Sequence, residues 1–282
     1  MSVNNQYGKL RSVLLCRPVH FSLKPINVIA ERFIREKALP DQERVLKEHE
    51  EFSEAFKDAG VSIVWVDPDP AFPFQVFTRD IGVTTKEGII LGSFREKIRQ
   101  GEEQRAKKAL DGHVSTLTKI ENGNEVAFEG GDFMYIDEEH VAVGIGARTT
   151  RAGVERLQSF EAKIGKEIIP VPFDPQFLHL DMIFCVLSER VCTICINALP
   201  EDFVKRIRNC GFEMVEVSEE GVFSLNCNLF ALDRGKVISP ARNTEVNDKL
   251  KALGFEIVEV DLEELLKGGG GPHCMSFPID RD

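Results

Sequence analysis

The stretch VFTRDIGVTTKEGIILGSF, residues 76–94, decides the architecture. It reads as two β-prone runs, 76–83 and 89–94, separated by the polar turn Lys86-Glu87-Gly88, and it leads into a charged amphipathic helix over 96–110 and a further strand over 114–120. Strand, tight turn, strand, helix and strand make one ββαβ unit, and the same order recurs along the chain. A second copy takes 131–136, 141–145, a helix over 150–164 and 167–173; a third takes 179–187, 191–196, a helix over 201–209 and 212–217. The fourth has 225–232, 237–239, a helix over 244–253 and 255–260. The two ends supply a fifth: a strand over 274–279 from the C-terminus, with a strand over 10–16, a helix over 42–59 and a strand over 61–66 from the N-terminus.

Copies of which the last is split between the chain ends predict a ring closed by pairing of N- and C-terminal strands, in preference to two tandem α/β domains. Residues 18–40 are the one long irregular stretch, of the length that serves as a lid or binding loop.

A chain of 282 residues with 43% apolar content can bury a sizeable core. Its net charge of −11 comes without a basic stripe, which excludes nucleic acid and anionic membrane surfaces as partners. The early apolar run 13–16 is far shorter than the hydrophobic region of a secretory signal, and no stretch is long enough to span a bilayer. The seven cysteines, at 16, 185, 192, 195, 210, 227 and 274, are odd in number and mostly set in apolar runs, as expected of a reduced, cytoplasmic protein. Cys192-Thr193-Ile194-Cys195 has no second pair at zinc spacing, so no metal and no other cofactor is expected.

Polar residues gather where each copy begins: Phe77-Thr78-Arg79-Asp80, Phe128-Glu129-Gly130-Gly131-Asp132, His179-Leu180-Asp181, Asn226-Cys227-Asn228 and His273-Cys274. In equivalent copies these starts converge on the ring axis, and His179 and Asp181, two apart on a strand, point to one face. Taken singly, each residue has a plain structural reading; their coincidence at one position of the repeat favours a site. Cys274 follows glycines 268–271 and Pro272, a loop able to bend sharply before a strand and present a thiol. Carboxylates beside that thiol oppose its ionisation unless the substrate brings positive charge. A guanidinium does so, and its paired N–H groups suit carboxylates.

These residues resemble the guanidine-modifying superfamily of arginine deiminases, dimethylargininases and amidinotransferases. Phe-Thr-Arg-Asp (77–80), Glu-Gly-Gly-Asp (129–132), His-Leu-Asp (179–181) and Gly-Gly-Pro-His-Cys-Met (270–275) are similar to the deiminase motifs, in order, across nearly the whole chain. The resemblance implies an α/β fold, a five-bladed α/β propeller of ββαβ modules with pseudo-fivefold symmetry and termini sharing one blade, forming a single catalytic domain over 1–282. It implies that Cys274 attacks the guanidinium carbon to form a covalent thiouronium, that Asp80 and Asp181 hold the guanidinium nitrogens, and that His179, oriented by Glu129, protonates the leaving amine and then activates water. Arg148 and Arg99 would bind a substrate carboxylate, with Gly131, Asp132 and Phe77 also on the substrate.

The partner implied is a small cationic guanidino amino acid, arginine or an ω-methylated arginine giving citrulline, with homo-oligomerisation left open. Amidino transfer to an amine and dihydrolysis to ornithine are the alternatives. Deiminases usually carry arginine where Gly269 stands and asparagine where Phe74 stands, while dihydrolases, which share the Arg-Gln-Gly-Glu-Glu stretch (99–103), carry asparagine in place of Asp80.

Of the cysteines, only Cys274 should be indispensable. Cys274→Ala should lower turnover by several orders of magnitude, whereas Cys192→Ala should alter only stability; near wild-type turnover by Cys274→Ala would exclude a covalent route through it.

Overall fold

A computed structural model describes residues 2–121 and 125–282. The chain begins with β1 (Leu10–Cys16), α1 (Val28–Arg35), α2 (Gln42–Asp58) and β2 (Ser62–Val66), then β3 (Gly82–Thr85), β4 (Gly88–Leu91), α3 (Glu102–Leu110) and β5 (Thr116–Lys119). It continues with β6 (Phe133–Tyr135), β7 (His140–Ile145), α4 (Arg151–Gln158), α5 (Glu161–Ile164), β8 (Glu167–Pro172), β9 (Phe184–Val186), β10 (Val191–Ile194), α6 (Glu201–Asn209) and β11 (Glu213–Glu216). The last elements are α7 (Glu219–Phe223), β12 (Phe230–Asp233), β13 (Lys236–Pro240), α8 (Thr244–Ala252), β14 (Glu256–Val260) and β15 (Phe277–Arg281).

Among the described residues these strands form five three-stranded sheets, β15-β1-β2, β3-β4-β5, β6-β7-β8, β9-β10-β11 and β12-β13-β14. In each, the middle strand pairs antiparallel with one neighbour and parallel with the other. In four of the sheets the antiparallel partner is reached by a tight turn, and in the fifth it comes from the other end of the chain, while the parallel one needs a crossover, which the helix supplies. Between β6 and β7 the turn is built by Asp137, whose Oδ1 accepts the N–H groups of Glu139 and His140 at 2.8 Å each.

The sheet shared by the termini pairs Leu14 with Phe277 antiparallel and Ser12 with Ser62 parallel, as expected from the split repeat. Arg281 secures it, donating from Nη1 to Gly8 O at 2.6 Å and from Nη2 to Ala231 O at 2.7 Å. Helix α2 turns Val45, Phe52 and Phe56 inward at helical spacing. Phe56 meets Phe230 of β12 edge-on at 5.6 Å, so this helix packs toward a second sheet as well as its own. Among the described residues no helix is long and apolar enough to cross a membrane.

The structure corrects several expected boundaries. The first strand of each unit starts late, at Gly82, Phe133, Phe184, Phe230 and Phe277, because a strand extends only as far as it has a partner, and β10, for example, is only Val191–Ile194. The residues before these strands fold instead into turns closed by three-residue hydrogen bonds, such as Asp132 N–H to Glu129 O and Met182 N–H to His179 O. His179 and Asp181 therefore do not share a strand face; they lie on a 3-10 turn. The helix expected over 96–110 is interrupted by Gly101 at φ +113°, and that over 150–164 divides into α4 and α5 at Ser159-Phe160. Residues 18–40 are not irregular throughout, since they contain α1, capped by Asn27.

Deleting residues 277–282 would strip β15 from β1 while keeping Cys274. Burial of Phe277 and Ile279 alone stabilises by roughly 3–6 kcal/mol at about 1.5–3 per side chain, a large part of a typical domain's stability. The truncated chain should lose its cooperative thermal transition by circular dichroism; an unchanged melt would show the terminal sheet to be dispensable.

Candidate active site

The turns ahead of the first strands carry Asp80, Glu129, His179, Asp181 and Cys274 into one buried cluster, and all five are 3% exposed or less. Glu129 Oε2 lies 2.9 Å from His179 Nε2, and its Oε1 accepts the backbone N–H of Arg95 at 3.1 Å. His179 Nδ1 is 3.6 Å from Asp80 Oδ1. Asp181 sits behind the sulfur, its Oδ2 at 3.4 Å and Oδ1 at 3.7 Å from Cys274 Sγ, and it is held by His273 Nδ1 at 2.8 Å. Gly131 is glycine for want of space: a Cβ there would stand 2.8 Å from both Asp80 Oδ1 and the His179 ring. Asp132 Oδ1 accepts the Leu180 N–H at 2.8 Å, which fixes the turn bearing His179 and Asp181.

A narrow pocket opens on this cluster, lined by Asp80, Arg99, Arg148, His179 and Cys274 on the polar side and by Phe74, Phe77, Leu178 and Ile26 elsewhere. Residues 18–40 help to close it. Asn27 accepts from Ala30 N–H at 2.9 Å and donates to Gly268 O at 3.0 Å, so α1 is tied to the glycine run. The same amide explains Gly269, which has φ +89° and whose Cβ would lie 2.7 Å from Asn27 Oδ1.

Arg99, expected on a substrate carboxylate, lines the pocket and is at the same time paired with buried carboxylates. Its Nη1 donates to Asp80 Oδ2 at 2.6 Å, its Nε and Nη2 donate to Glu102, with Nη2 to Glu102 Oε2 at 2.8 Å, and Nη2 also reaches Phe77 O at 3.1 Å. Of the five N–H groups of a guanidinium, these contacts leave one on Nη1. Charge pairing in the interior claims the side chain, and Arg99 positions Asp80. Arg148 is less committed: Nη2 donates to Ile26 O, and Nη1 stands 3.8 Å from Glu129. Asp132 and Gly131 shape the turns and do not line the pocket, whereas Phe77 forms its wall. Asn228, to which the sequence assigns no role, donates from Nδ2 to Cys274 Sγ at 3.1 Å.

Burial alone would lift the Glu129 acid, but Arg148 and the hydrogen bond from His179 outweigh it and bring it down to about 2. Burial would likewise depress His179, yet Asp80, Asp132 and Glu129 raise it to about 9, so the imidazolium is the resting form at neutral pH. The Cys274 thiol is pushed well up by burial, then by Asp181 and Asp80. Burial raises Asp80 too, opposed by His179 and Arg99. One Asp80 oxygen, Oδ1, is buried without a hydrogen-bond partner among the described residues. Asp80, Glu129 and His179 offer ligand atoms within 4.8 Å of one another, and in this arrangement His179 Nε2 meets Glu129 while Arg99 donates to Asp80 Oδ2.

Residues 17–281 match the family model described as N,N dimethylarginine dimethylhydrolase, eukaryotic. The Bacillus subtilis protein YkgA is 34% identical over 281 residues, covering 98% of this chain and 94% of its own. Arginine deiminase of Listeria welshimeri is 30% identical over 257 residues, 76% of this chain and 63% of that enzyme. In fold, the chain is similar to the N-terminal domain of ArgZ, an arginine dihydrolase of cyanobacteria, with a TM-score of 0.84 at 23% identity over 97% of this chain and 98% of that one.

The raised His179 value has a definite pH signature. Ordinary imidazole titrates near 6.5, so the stabilisation due to this pairing should be complete below about 6.5 and lost as pH rises through about 9. Nuclear magnetic resonance titration of the His179 ring should place its transition near 9, and Glu129→Gln should move it down; a wild-type transition near 6.5 would contradict the pairing.

Proposed function

The chain belongs to the N,N dimethylarginine dimethylhydrolase family, and from that membership we propose a cysteine-dependent hydrolase of a guanidine C–N bond, acting on arginine or an ω-methylated arginine and releasing citrulline. The observation that carries this reading is Asp80 Oδ1, which has no hydrogen bond and only a 3.6 Å ion pair to His179, on a residue that lines a pocket together with Cys274 and His179. A buried carboxylate oxygen without a partner is costly, and a guanidinium N–H satisfies it.

In the proposed sequence the substrate cation offsets Asp181 and Asp80 and so favours loss of the Cys274 proton to bulk water, and the thiolate attacks the guanidinium carbon. His179 gives its proton to the departing amine as the C–N bond breaks, leaving a thiouronium on sulfur. The neutral imidazole then takes a proton from water, whose oxygen attacks the same carbon; the C–S bond breaks and the ureido product leaves. Glu129 orients the ring throughout, and Arg99 fixes Asp80. Arg148, with N–H groups to spare, is the proposed grip for an amino-acid carboxylate. The fold reading that accompanies this is a ring in which the five sheets stand as blades about the site, one catalytic domain over residues 1–282.

The test is product analysis with arginine and asymmetric dimethylarginine, with and without glycine or lysine as acceptor. Citrulline without an acceptor is expected, with ammonia or dimethylamine as the second product. Product formed only when an amine is added would replace hydrolysis by amidino transfer, and ornithine with ammonia would make the enzyme a dihydrolase. Asp80→Asn should weaken transition-state binding by about 2–5 kcal/mol, by analogy with truncated buried charge pairs; unchanged kcat/KM would remove Asp80 from the site.

A further inference from the structure

Asn228 lies on the turn before β12 and is fully buried. All of its hydrogen-bonding capacity is spent in one place. Oδ1 accepts two backbone N–H groups, from Gly271 at 3.1 Å and Cys274 at 3.2 Å. Nδ2 donates to the carbonyl of Asp181 at 3.2 Å and to Cys274 Sγ at 3.1 Å. A side-chain amide has two lone pairs and two N–H groups, so these four contacts saturate it. They also settle which way the amide faces, because backbone N–H groups can only donate and the oxygen must turn toward them. The N–H pair is thereby left for the sulfur and for Asp181.

The surroundings of the sulfur give that N–H its importance. Asp181 presents both carboxylate oxygens to Sγ within 3.7 Å, and like charge there opposes a thiolate. Hydrogen bonds to an ionised acceptor are roughly twice as strong as neutral ones, so a donor aimed at sulfur favours the thiolate over the thiol. Among the described residues, Asn228 is the side chain that brings an N–H to this atom. Its carbonyl meanwhile grips both ends of the turn from Gly271 to Cys274, so the group that favours the charge also sets the position of the atom bearing it.

We propose that Asn228 is a further catalytic residue, whose amide N–H donates to the Cys274 sulfur and stabilises the attacking thiolate while its carbonyl holds the turn that presents it. This rests on the reading of Cys274 as the nucleophile.

The test is alkylation of Cys274 by iodoacetamide without substrate, followed by mass spectrometry of the Cys274 peptide as a function of pH. Asn228→Asp preserves size and the oxygen that accepts the turn, but turns an oxygen toward sulfur where an N–H stood. Its alkylation profile should move up by a pH unit or more, a loss of at least about ten-fold in rate at pH 8, with kcat reduced more than KM. A folded Asn228→Asp whose profile superimposes on wild type overturns the proposal.

Should that variant fail to fold, the wild-type protein decides: one Asn228 side-chain amide proton should shift in ¹⁵N-correlated spectra as Cys274 titrates or is alkylated, and the shift should be absent in Cys274→Ala. An amide insensitive to the state of the sulfur also overturns it. Because alkylation needs no substrate, failure of guanidine turnover in the wild type would sink the functional reading alone, and superimposed profiles would sink this inference alone.

Discussion

A buried charge persists only with a partner, and the centre of this molecule is organised by that constraint. Asp80, Arg99, Glu102, Glu129, Arg148, His179 and Asp181 are all removed from solvent, and nearly every one is matched to an opposite charge or a hydrogen-bond donor within reach. Arg99 lies between two carboxylates, Glu129 between an imidazolium and a guanidinium, and Asp181 against His273. Side chains from turns far apart in sequence are thereby locked in register. The conspicuous remainder is one oxygen of Asp80, which has no hydrogen bond and only the 3.6 Å ion pair to His179, on a residue that lines the sulfur-bearing pocket.

The same constraint sets the resting protonation states. With Glu129 held as an anion and His179 as a cation, the pair stabilises itself, while the neighbouring thiol, faced by carboxylates, stays neutral. A site in that condition holds a cationic imidazole beside a neutral thiol, and added positive charge would shift only the second, as the proposed cationic substrate requires.

The scaffold serves this arrangement by keeping its strands short. Because each first strand begins only after a turn, backbone that would otherwise run straight into a sheet instead folds over and brings its side chains to the cluster. Close approach then dictates residue size: Gly131 leaves room for Asp80 and His179, and Gly269 leaves room for Asn27, whose amide ties the 18–40 segment across the pocket.

The sequence by itself determined the repeat, the sharing of one sheet by the two termini and the set of polar residues that meet, since alternation of apolar runs, turn residues and amphipathic helices is written locally and recurs with a fixed order. It also carried the motifs that mark the family. Only the tertiary structure decided how those residues are used. Asp80 is followed nineteen residues later by its true partner Arg99, and nothing in that spacing distinguishes it from the adjacent Arg79, whose Nη2 goes instead to Phe133 O. Asp181 comes within 3.4 Å of the sulfur across ninety-three residues of chain, and Asn228 reaches the same atom across forty-six. Turn lengths, strand ends and charge partners follow from which groups become buried together, a property of the assembled interior that no local pattern encodes.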